Sequence, residues 1–253
     1  MVQPIISIIT VTYQAETVLV KTMESILGLN YSNLEYIIID GGSKDNTIQI
    51  VKSYAEKFKT KNIVFKWLSE SDKGLYDAMN KGLKMAEGEY VWFMNAGDKV
   101  ASDDCLSKID FNSLPDFIYG ETIIVDEMGV VLGNRRLKAP ENLNWKSFRM
   151  GMLVCHQSMI VKRKIAPDFD LNYRFSSDFD WSIKCLKAAK TIYNSGTILS
   201  HFLDGGVSKK KMRASLKERF EIMSKNYGFI NTAFRHFWFV IRAMSFKFKH
   251  GWF

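Results

Sequence analysis

Short apolar segments alternate with stretches of helical periodicity along the first hundred residues of this 253-residue chain. The apolar segments are rich in β-branched and aromatic residues, which is typical of strands buried on both faces of a parallel sheet. They span residues 5–11, 34–39, 63–68 and 90–94. Helical spacing fills the intervals at 16–27, from 48 onwards and at 75–85. This alternation predicts an α/β fold with a mostly parallel central sheet flanked by helices.

The pattern is looser after residue 115. The elements predicted there are a hairpin over 117–125 and 130–132, a strand over 154–161, and helices over 178–189, 209–226 and 232–249. The sequence contains no internal repeat and no low-complexity linker. The simplest division is one α/β domain over residues 1–208, followed by a helical C-terminal extension over 209–253.

The composition restricts the class of protein. Hydrophobic residues make up 47% and charged residues 25% of the chain, which is typical of a globular protein. Three scattered cysteines without a C-x-x-C pair indicate neither a disulfide framework nor a zinc site, and favour a reducing compartment. We read no signal peptide and no apolar run of membrane-spanning length, so we expect a cytoplasmic protein.

Charge is concentrated at the C-terminal end. The net charge is +8, from 35 basic and 27 acidic residues, yet residues 209–253 alone carry 11 basic and 2 acidic side chains. Phe and Trp alternate with Arg and Lys between 226 and 253, a composition that suits a helix lying on anionic lipid. We expect peripheral membrane contact through 229–253, with packing on the domain or a second subunit as the alternative. No recognised motif indicates a nucleic-acid partner.

Polar residues are unusually dense in segment 69–82, at the start of the third predicted helix. Capping of that helix accounts for one carboxylate, such as Asp72, but not for Glu70, Asp72 and Asp77 together. Asp77 and Asn80 are three residues apart and share one face near the positive end of the helix. This density favours a binding site for a phosphate-bearing ligand.

Two further polar segments follow predicted strands. Asp40 begins Asp-Gly-Gly-Ser, where it either accepts hydrogen bonds from a base or ribose or belongs to a tight turn, with Asp45 capping the next helix. Asp98 ends Asn-Ala-Gly-Asp, where it either binds Mg²⁺ or Mn²⁺ or belongs to a polar turn. Ligands of parallel sheets bind at the carboxyl ends of the strands, where both residues are predicted. Neither segment is the G-x-G-x-x-G of dinucleotide-binding enzymes.

These motifs occur in the order and at the intervals found in family 2 glycosyltransferases, and the chain resembles that family. The resemblance rests on residues 7–13, 35–45, 69–82, 88–90 and 95–98, with a second patch near 155–206. It implies a GT-A fold and inverting transfer of a sugar from a nucleotide-sugar donor, usually a UDP-sugar, with Mg²⁺ or Mn²⁺. The Asp-Gly-Gly-Ser and Asn-Ala-Gly-Asp forms are similar to a subgroup that builds bacterial surface polysaccharides.

By position, the resemblance implies that Thr12, Tyr13 and Asp40 hold the nucleotide base. It also implies that Asp72 lies against the ribose or diphosphate. We expect Asp77 and Asn80 to belong to the same donor site.

The resemblance also implies that Asp98 is the remaining acidic member of the D-x-D metal signature. The chain departs from the family at Gly41, which replaces a second aspartate, and at Gly97 within the D-x-D. The glycine at 97 removes a metal carboxylate, so we expect either weak metal affinity or a metal held by Asp98 together with water and the donor phosphate.

Asp178 corresponds to the family's catalytic base, which takes the proton of an acceptor hydroxyl. Proton transfer of this kind favours a modestly raised pKa. Without the resemblance, Asp178 would be interpreted as a helix cap, with Asp180 in the first turn.

Three other side chains are weaker candidates. The resemblance suggests that His156, in the middle of a predicted strand, contacts donor or acceptor, and that His201 lies near the diphosphate. Trp181, like Trp145, can stack on a sugar, although core packing is the more common role of a tryptophan.

The sequence therefore predicts an inverting glycosyltransferase that uses a glycan or lipid-linked acceptor at the cytoplasmic face of the membrane. Two alternatives remain open. One is a sugar-nucleotide-binding protein that has lost activity through its altered D-x-D. The other is a membrane-associated assembly factor whose tail is the functional part.

Overall fold

The computed structural model describes residues 3–205 and 211–250, with side chains up to 239 and at 241. The helices are α1 (Leu19–Leu27), α2 (Thr47–Thr60), α3 (Leu75–Met85), α4 (Ser177–Ala188), α5 (Met212–Tyr227) and α6 (Phe229–His250). The strands are β1 (Ile6–Thr12), β2 (Leu34–Asp40), β3 (Val64–Ser69), β4 (Tyr90–Phe93), β5 (Lys99–Val100), β6 (Phe117–Val125), β7 (Val131–Asn134), β8 (Met159–Lys162) and β9 (Ile192–Leu203). Short 3-10 helices span Trp145–Met150, His156–Ser158 and Arg163–Ile165.

All these strands belong to one sheet with the order β3-β2-β1-β4-β8-β6-β9-β5, and β7 pairs with β6 beside this path. Strands β3, β2, β1 and β4 run parallel, and β8 joins β4 in the antiparallel direction. The predicted α/β alternation of the first hundred residues is confirmed. Because β1, β2 and β4 are parallel neighbours, their carboxyl ends meet at one edge of the sheet.

Both faces of the parallel strands are covered, because every residue of β1 and β2 is buried. Side chains alternate between the faces along each strand. Ile9 and Ile37 face a core built with α3 and α4, whereas Ile8 and Ile38 face a second core built with α1 and α2. This double burial explains why the strands are continuously apolar in the sequence.

Helix α3 lies unusually close to the sheet at Gly82. A Cβ atom at this position would lie 2.4 Å from Ile9 Cγ2 and 3.3 Å from Ile39 Cγ1. A glycine is therefore needed where the helix crosses β1 and β2. Asn80, on the same helix, exchanges hydrogen bonds of 2.9 and 2.7 Å with the backbone of Phe169. These contacts fix both the helix and the loop that precedes α4.

Two predictions of secondary structure in the second half were wrong or incomplete. The strand predicted over 154–161 begins only at Met159, because residues 156–158 form a 3-10 helix. Strand β9 was not predicted, since its Asn194-Ser195-Gly196 segment has the composition of a turn. The strand follows β6 through two register irregularities, which a side-chain pattern does not encode.

The C-terminal extension contains the two expected helices. The predicted domain boundary at 208 and 209 lies outside the described residues, as do the last three residues of the aromatic segment. Helix α5 is attached to the body through the Ser215 and Ser176 hydroxyls, 2.9 Å apart. The division into two domains stays a prediction.

Substitution Gly82→Ala should destabilise the protein by about 1–2 kcal/mol. Overpacking in a core typically costs about 1–3 kcal/mol, which outweighs the gain of up to about 1 kcal/mol from alanine's helix propensity. Urea unfolding monitored by circular dichroism measures the change. Lys84→Ala, at an exposed position of the same helix, is the control and should change stability by less than about 0.5 kcal/mol. A Gly82→Ala variant as stable as the wild type would contradict the packing argument.

Candidate active site

The candidate site lies where the parallel strands end and helices α3 and α4 begin. The loops after β1, β2 and β4 are joined by backbone hydrogen bonds from Gly41 to Thr12 (2.9 Å) and from Ala96 to Val11 (3.2 Å). Tyr76 near the start of α3 donates to Asp178 in the first turn of α4 across 3.0 Å. Segments far apart in sequence thus converge at one edge of the sheet.

Asp178 is the most constrained carboxylate of this site. Its Oδ1 accepts the Tyr76 hydroxyl, its Oδ2 lies 3.3 Å from His156 Nδ1, and its side chain remains 14% exposed. Burial by itself raises the pKa of Asp178. The hydrogen bond with His156, the charge of Arg219 and the Tyr76 hydroxyl more than offset this, so the pKa lies below its usual value. The raised pKa expected from the sequence is therefore corrected: the carboxylate is ionised, oriented and partly open.

His156 connects Asp178 to the end of β4. It does not lie in a strand as predicted but opens the 3-10 helix that leads into β8, where it is 8% exposed. Its Nε2 lies 3.2 Å from Asn95 Nδ2. When Nε2 accepts from the Asn95 amide, Nδ1 carries the proton that faces Asp178. Both ring nitrogens thus face protein groups, which supports a positioning role, and direct contact with donor or acceptor stays a prediction.

Asp98 is buried and fully used in holding the fold together. Its Oδ1 accepts from the backbone of Leu203 at 2.9 Å and its Oδ2 from Gln157 Nε2 at 2.7 Å, and the residue is 4% exposed. Burial raises its pKa to about 6, although these two hydrogen bonds oppose the shift. The prediction that Asp98 holds a divalent cation disagrees with this arrangement, because the residue is buried and each carboxylate oxygen already accepts a hydrogen bond from the protein.

The residues beside Asp98 do not fit a metal signature either. Gly97 has a φ of +99°, and a Cβ at this position would lie 2.8 Å from Leu203 Cδ2. A carboxylate at position 97 would therefore require Leu203 and the backbone to move. Among the described residues, no three His, Cys, Asp or Glu side chains are grouped so that they could hold a metal ion. The protein-held Mg²⁺ or Mn²⁺ site that the sequence implied has no matching donor set here.

Asp40 organises the loop after β2. It is fully buried and accepts hydrogen bonds from the backbone of Gly42 (3.0 Å) and Ser43 (2.9 Å) and from the Ser69 hydroxyl (2.7 Å). The Ser43 hydroxyl donates to its other oxygen. These hydrogen bonds show that Asp40 shapes the loop, and the direct contact with a nucleotide base that was expected of it stays a prediction.

Tyr13, Gly41 and Asp72 form the open part of the site, next to the loop of Asp40. The Tyr13 side chain is 61% exposed, and a Cβ at Gly41 would lie 3.4 Å from its Cδ2 and 2.4 Å from Asp72 Oδ2. Gly41 thus lets an exposed aromatic ring and a carboxylate approach each other. Thr12 ends β1 beneath them, with a buried hydroxyl that has no hydrogen-bond partner in the described chain. An aromatic ring beside a carboxylate can stack a base and accept a hydrogen bond from a ribose hydroxyl.

Three other predicted site residues have structural contacts instead. Asp77 accepts from the backbone of Lys73 at 2.9 Å and fixes the start of α3, and Asn80 is used by Phe169. Trp181 is 1% exposed and stacks on Phe169 at 5.1 Å, so its ring offers no face to a sugar. The sugar contact of Trp181 is therefore corrected to packing in the core, whereas the donor-binding roles of Asp77 and Asn80 stay predictions.

His201 lies on β9 opposite Lys99 of β5. Burial and the charge of Lys99 lower its pKa. Residues 206–210 of the segment that follows it are outside the described part of the chain, so its expected position near a diphosphate stays a prediction.

The sequence did not indicate the residues that contact or act on the two aspartates, Asp178 and Asp98. Tyr76 and Gln157 stand within motifs that the sequence singled out, but their roles depend on contacts 102 and 59 residues away along the chain. Arg219 had no sequence signal, because it is one of many basic residues in the C-terminal extension.

A comparison with protein families decides which family carries this site. The model described as "Glycosyl transferase family 2" matches residues 7–164, more than half of the chain. The chain belongs to glycosyl transferase family 2. It is accordingly a glycosyltransferase, and the resemblance seen in the sequence is confirmed.

The transferase is similar to curated bacterial relatives over most of their length. It is 29% identical to a "PGL/p-HBAD biosynthesis glycosyltransferase" of Mycobacterium bovis, covering 82% of this chain and 80% of that one. It is 24% identical to the "Putative teichuronic acid biosynthesis glycosyltransferase TuaG" of Bacillus subtilis, covering 91% and 95% of the two chains.

Solved structures with the same architecture confirm the GT-A fold. S. aureus TarS 1-349 in complex with UDP-GlcNAc matches the transferase with a TM-score of 0.67 at 19% identity, over 93% of this chain and 73% of that chain. The mannosyltransferase PcManGT of Pyrobaculum calidifontis, in complex with GDP-Man and Mn²⁺, matches with a TM-score of 0.63 at 15% identity, over 93% and 74%. At these identities the likeness concerns the fold alone.

The buried Asp98 should make stability depend on pH. Its pKa of about 6 in the folded transferase lies above the unfolded value of about 3.9, so folding takes up a proton between these values. The stability that Asp98 contributes is then fully present below about pH 4 and is lost as the pH rises through about 6. The unfolding free energy of the wild type minus that of Asp98→Asn should therefore fall between pH 4 and pH 7, as measured by urea unfolding.

Asp116→Asn is the matched control with the opposite sign. Burial raises the pKa of Asp116, but hydrogen bonds from Lys190 and Lys162 bring it below its usual value. Its contribution to stability should therefore be lost as the pH falls. A difference for Asp98→Asn that is flat or rises with pH would contradict the assigned burial effect.

Proposed function

We propose that the transferase moves a sugar from a nucleotide-sugar donor, expected to be a UDP-sugar, to a hydroxyl group of a glycan or lipid-linked acceptor, with inversion at the anomeric carbon. The setting we propose is the biosynthesis of a bacterial surface polysaccharide. The observation that carries the proposal is the partly exposed Asp178, held by Tyr76 and His156 at the carboxyl edge of the sheet. Relatives named for the biosynthesis of PGL/p-HBAD or teichuronic acid, and neighbours bound to UDP-GlcNAc or GDP-Man, support the substrate class.

The nucleotide would lie in the open part of the site. The exposed ring of Tyr13 can stack on the base, while Asp72 beside Gly41 can accept from the ribose. Asp40 would hold the loop that shapes this surface, through the backbone of Gly42 and Ser43. Thr12, whose buried hydroxyl has no hydrogen-bond partner among the described residues, would lie beside the base.

Asp178 would act as the general base. Its carboxylate would take the proton from the acceptor hydroxyl while the oxygen attacks the anomeric carbon from the side opposite the leaving nucleoside diphosphate. The transition state would carry oxocarbenium character, as in glycoside hydrolysis. The lowered pKa keeps the carboxylate ionised at neutral pH, and the hydrogen bonds of Tyr76 and His156 keep it oriented.

The Mg²⁺ or Mn²⁺ that the family resemblance implies stays a prediction. Both carboxylate oxygens of Asp98 accept hydrogen bonds from the protein, so the proposed steps do not use Asp98 as a metal ligand.

Asp178→Asn should lower kcat by about 10²–10⁴-fold and leave the affinity for UDP unchanged within about twofold, since general-base catalysis typically contributes a factor of that size. Turnover is measured as UDP release from UDP-sugars with an extract-derived glycan acceptor, and affinity by calorimetry with UDP. Asp168→Asn removes the same charge from an exposed position on the loop before α4 and is the control.

The same pair of measurements separates the proposed functions. Normal transfer by Asp178→Asn would refute the base assignment. A wild-type protein that binds UDP but transfers no sugar from any donor would favour the inactive sugar-nucleotide-binding protein.

We also propose that α6 lies on the inner surface of the cell membrane. Its inward face is partly or fully buried at 232, 235, 236 and 239, whereas the opposite face exposes large apolar side chains. The exposed members are Phe229, Ile230, Phe234, Phe237, Trp238 and Ile241, with exposed fractions from 38% to 72%. No described helix is long and apolar enough to cross a membrane. A helix with one exposed aromatic face fits adsorption to a lipid surface.

Cations lie beside this apolar face. An open pocket of about 390 Å³ separates the Trp145–Met150 helix from α6, and Lys146, Arg149 and Arg235 line it. Each basic residue held close to an anionic membrane contributes about 1 kcal/mol of binding. The charge supports contact with phosphate-bearing headgroups at the edge of the apolar face.

The triple variant Phe234→Ser, Phe237→Ser, Trp238→Ser should lose binding to vesicles that contain anionic lipid by at least about tenfold, because it removes the apolar surface that would enter the bilayer. Vesicle sedimentation measures the change. The control changes three exposed apolar residues near the β6–β7 turn, Met128, Val130 and Val131, to serine. Unchanged sedimentation of the α6 variant would refute membrane contact, and a change from dimer to monomer instead would identify a second subunit as the partner of this face.

A further inference from the structure

Helix α5 is docked on the segment that leads to Asp178. The Ser215 hydroxyl lies 2.9 Å from the hydroxyl of Ser176, two residues before Asp178. The carboxylate of Glu218 accepts from the backbone of Arg174 and of Phe175, each at 2.9 Å. This face of α5 therefore has a fixed position relative to the base.

Arg219 continues the same face toward the site. It is one helical turn beyond Ser215, and residues four apart lie one above the other on a helix. Ile222, on the next turn, is fully buried in the core that also contains Phe179. Arg219 thus lies on the face of α5 between a polar contact with the start of α4 and the apolar core.

The Nε of Arg219 is buried and has no hydrogen-bond partner among the described residues. Its charge contributes to the lowered pKa of Asp178 and opposes the rise in the pKa of Tyr76 that burial causes, yet it forms no ion pair with Asp178 in the described chain. Asp178 already receives Tyr76 and His156. The arginine is therefore not required to complete the hydrogen bonds of the base.

An unpartnered N–H in a buried position is costly, so such groups usually meet a ligand, an ion or water. A guanidinium presents its N–H donors in a planar fork that matches phosphate oxygens. The charge of Arg219 acts on the carboxylate of Asp178, which would repel an anion unless a cation stood beside it. An arginine at this place lets a phosphate lie close to an ionised Asp178.

We propose that Arg219 binds a phosphate group of a reactant beside Asp178. This inference rests on the proposed function, which supplies two sources of that chemistry: the diphosphate of the nucleotide and the phosphate of a lipid-linked acceptor. On the nucleotide, Arg219 would stabilise the charge that develops as the sugar leaves. On the acceptor, it would hold the attacking hydroxyl within reach of the base.

The test uses the full chain and two probes. Calorimetry measures the affinity of UDP, and then of farnesyl phosphate added to protein saturated with UDP. Arg219→Gln should weaken one of the two by about tenfold, a factor that corresponds to about 1.4 kcal/mol. Weaker UDP binding identifies the nucleotide diphosphate as the ligand, and weaker farnesyl phosphate binding identifies the acceptor. Arg219→Lys should show a smaller loss, and it keeps the test valid if the glutamine variant fails to fold.

Arg213→Gln removes the same charge from an exposed position of α5 and should bind both probes like the wild type. Wild-type affinities of Arg219→Gln for both probes would overturn the inference. So would a variant whose only change is a shift of the acid limb of the pH–rate profile, since that would reduce Arg219 to a charge acting on Asp178. A wild-type protein that binds no UDP would instead refute the proposed function itself.

Discussion

The hydrogen-bonded chain from Tyr76 through Asp178 and His156 to Asn95 is the interaction on which the site depends. It joins the first turns of two helices to the end of a central strand. Without its donors, burial alone would raise the pKa of Asp178 and favour a neutral carboxyl group. The chain therefore keeps a partly enclosed carboxylate charged while leaving part of it open to a reactant.

A second set of buried contacts, made by Asp98, supports the hydrogen-bonded chain of Asp178. Asp98 receives Gln157 and the backbone of Leu203, and so ties the β4 loop to the 3-10 helix of His156 and to the end of β9. A cation site would need these same oxygens exposed to solvent. In this transferase Asp98, the last residue of the altered D-x-D, holds together the segments that position the base. A buried carboxylate whose oxygens accept hydrogen bonds from the protein is not available to bind a cation.

The C-terminal helices connect this chemistry to a surface. Helix α5 fixes Arg219 beside Asp178 through Ser215 and Glu218, and α6 packs on α5 while it exposes an aromatic face with cations beside it. Under the proposed function, an acceptor that carries a phosphate and a lipid would use both features. The extension that gives the chain its positive charge also contacts the segment that leads to Asp178.

The amino-acid sequence by itself determined the parallel half of the sheet, because strands buried on both faces must be continuously apolar and crossover helices must be amphipathic. It also determined the family, since the motifs at strand ends keep their order and spacing. Only the tertiary structure decided what each polar residue does. The motifs of Asp40 and Asp98 suggest ligand-binding residues, but their carboxylate oxygens accept hydrogen bonds from backbone and side-chain donors of the protein. Arg219 belongs to no motif, yet its charge acts on Asp178. Hydrogen-bond partners 59 to 105 residues distant are set by packing, and local sequence carries no record of them.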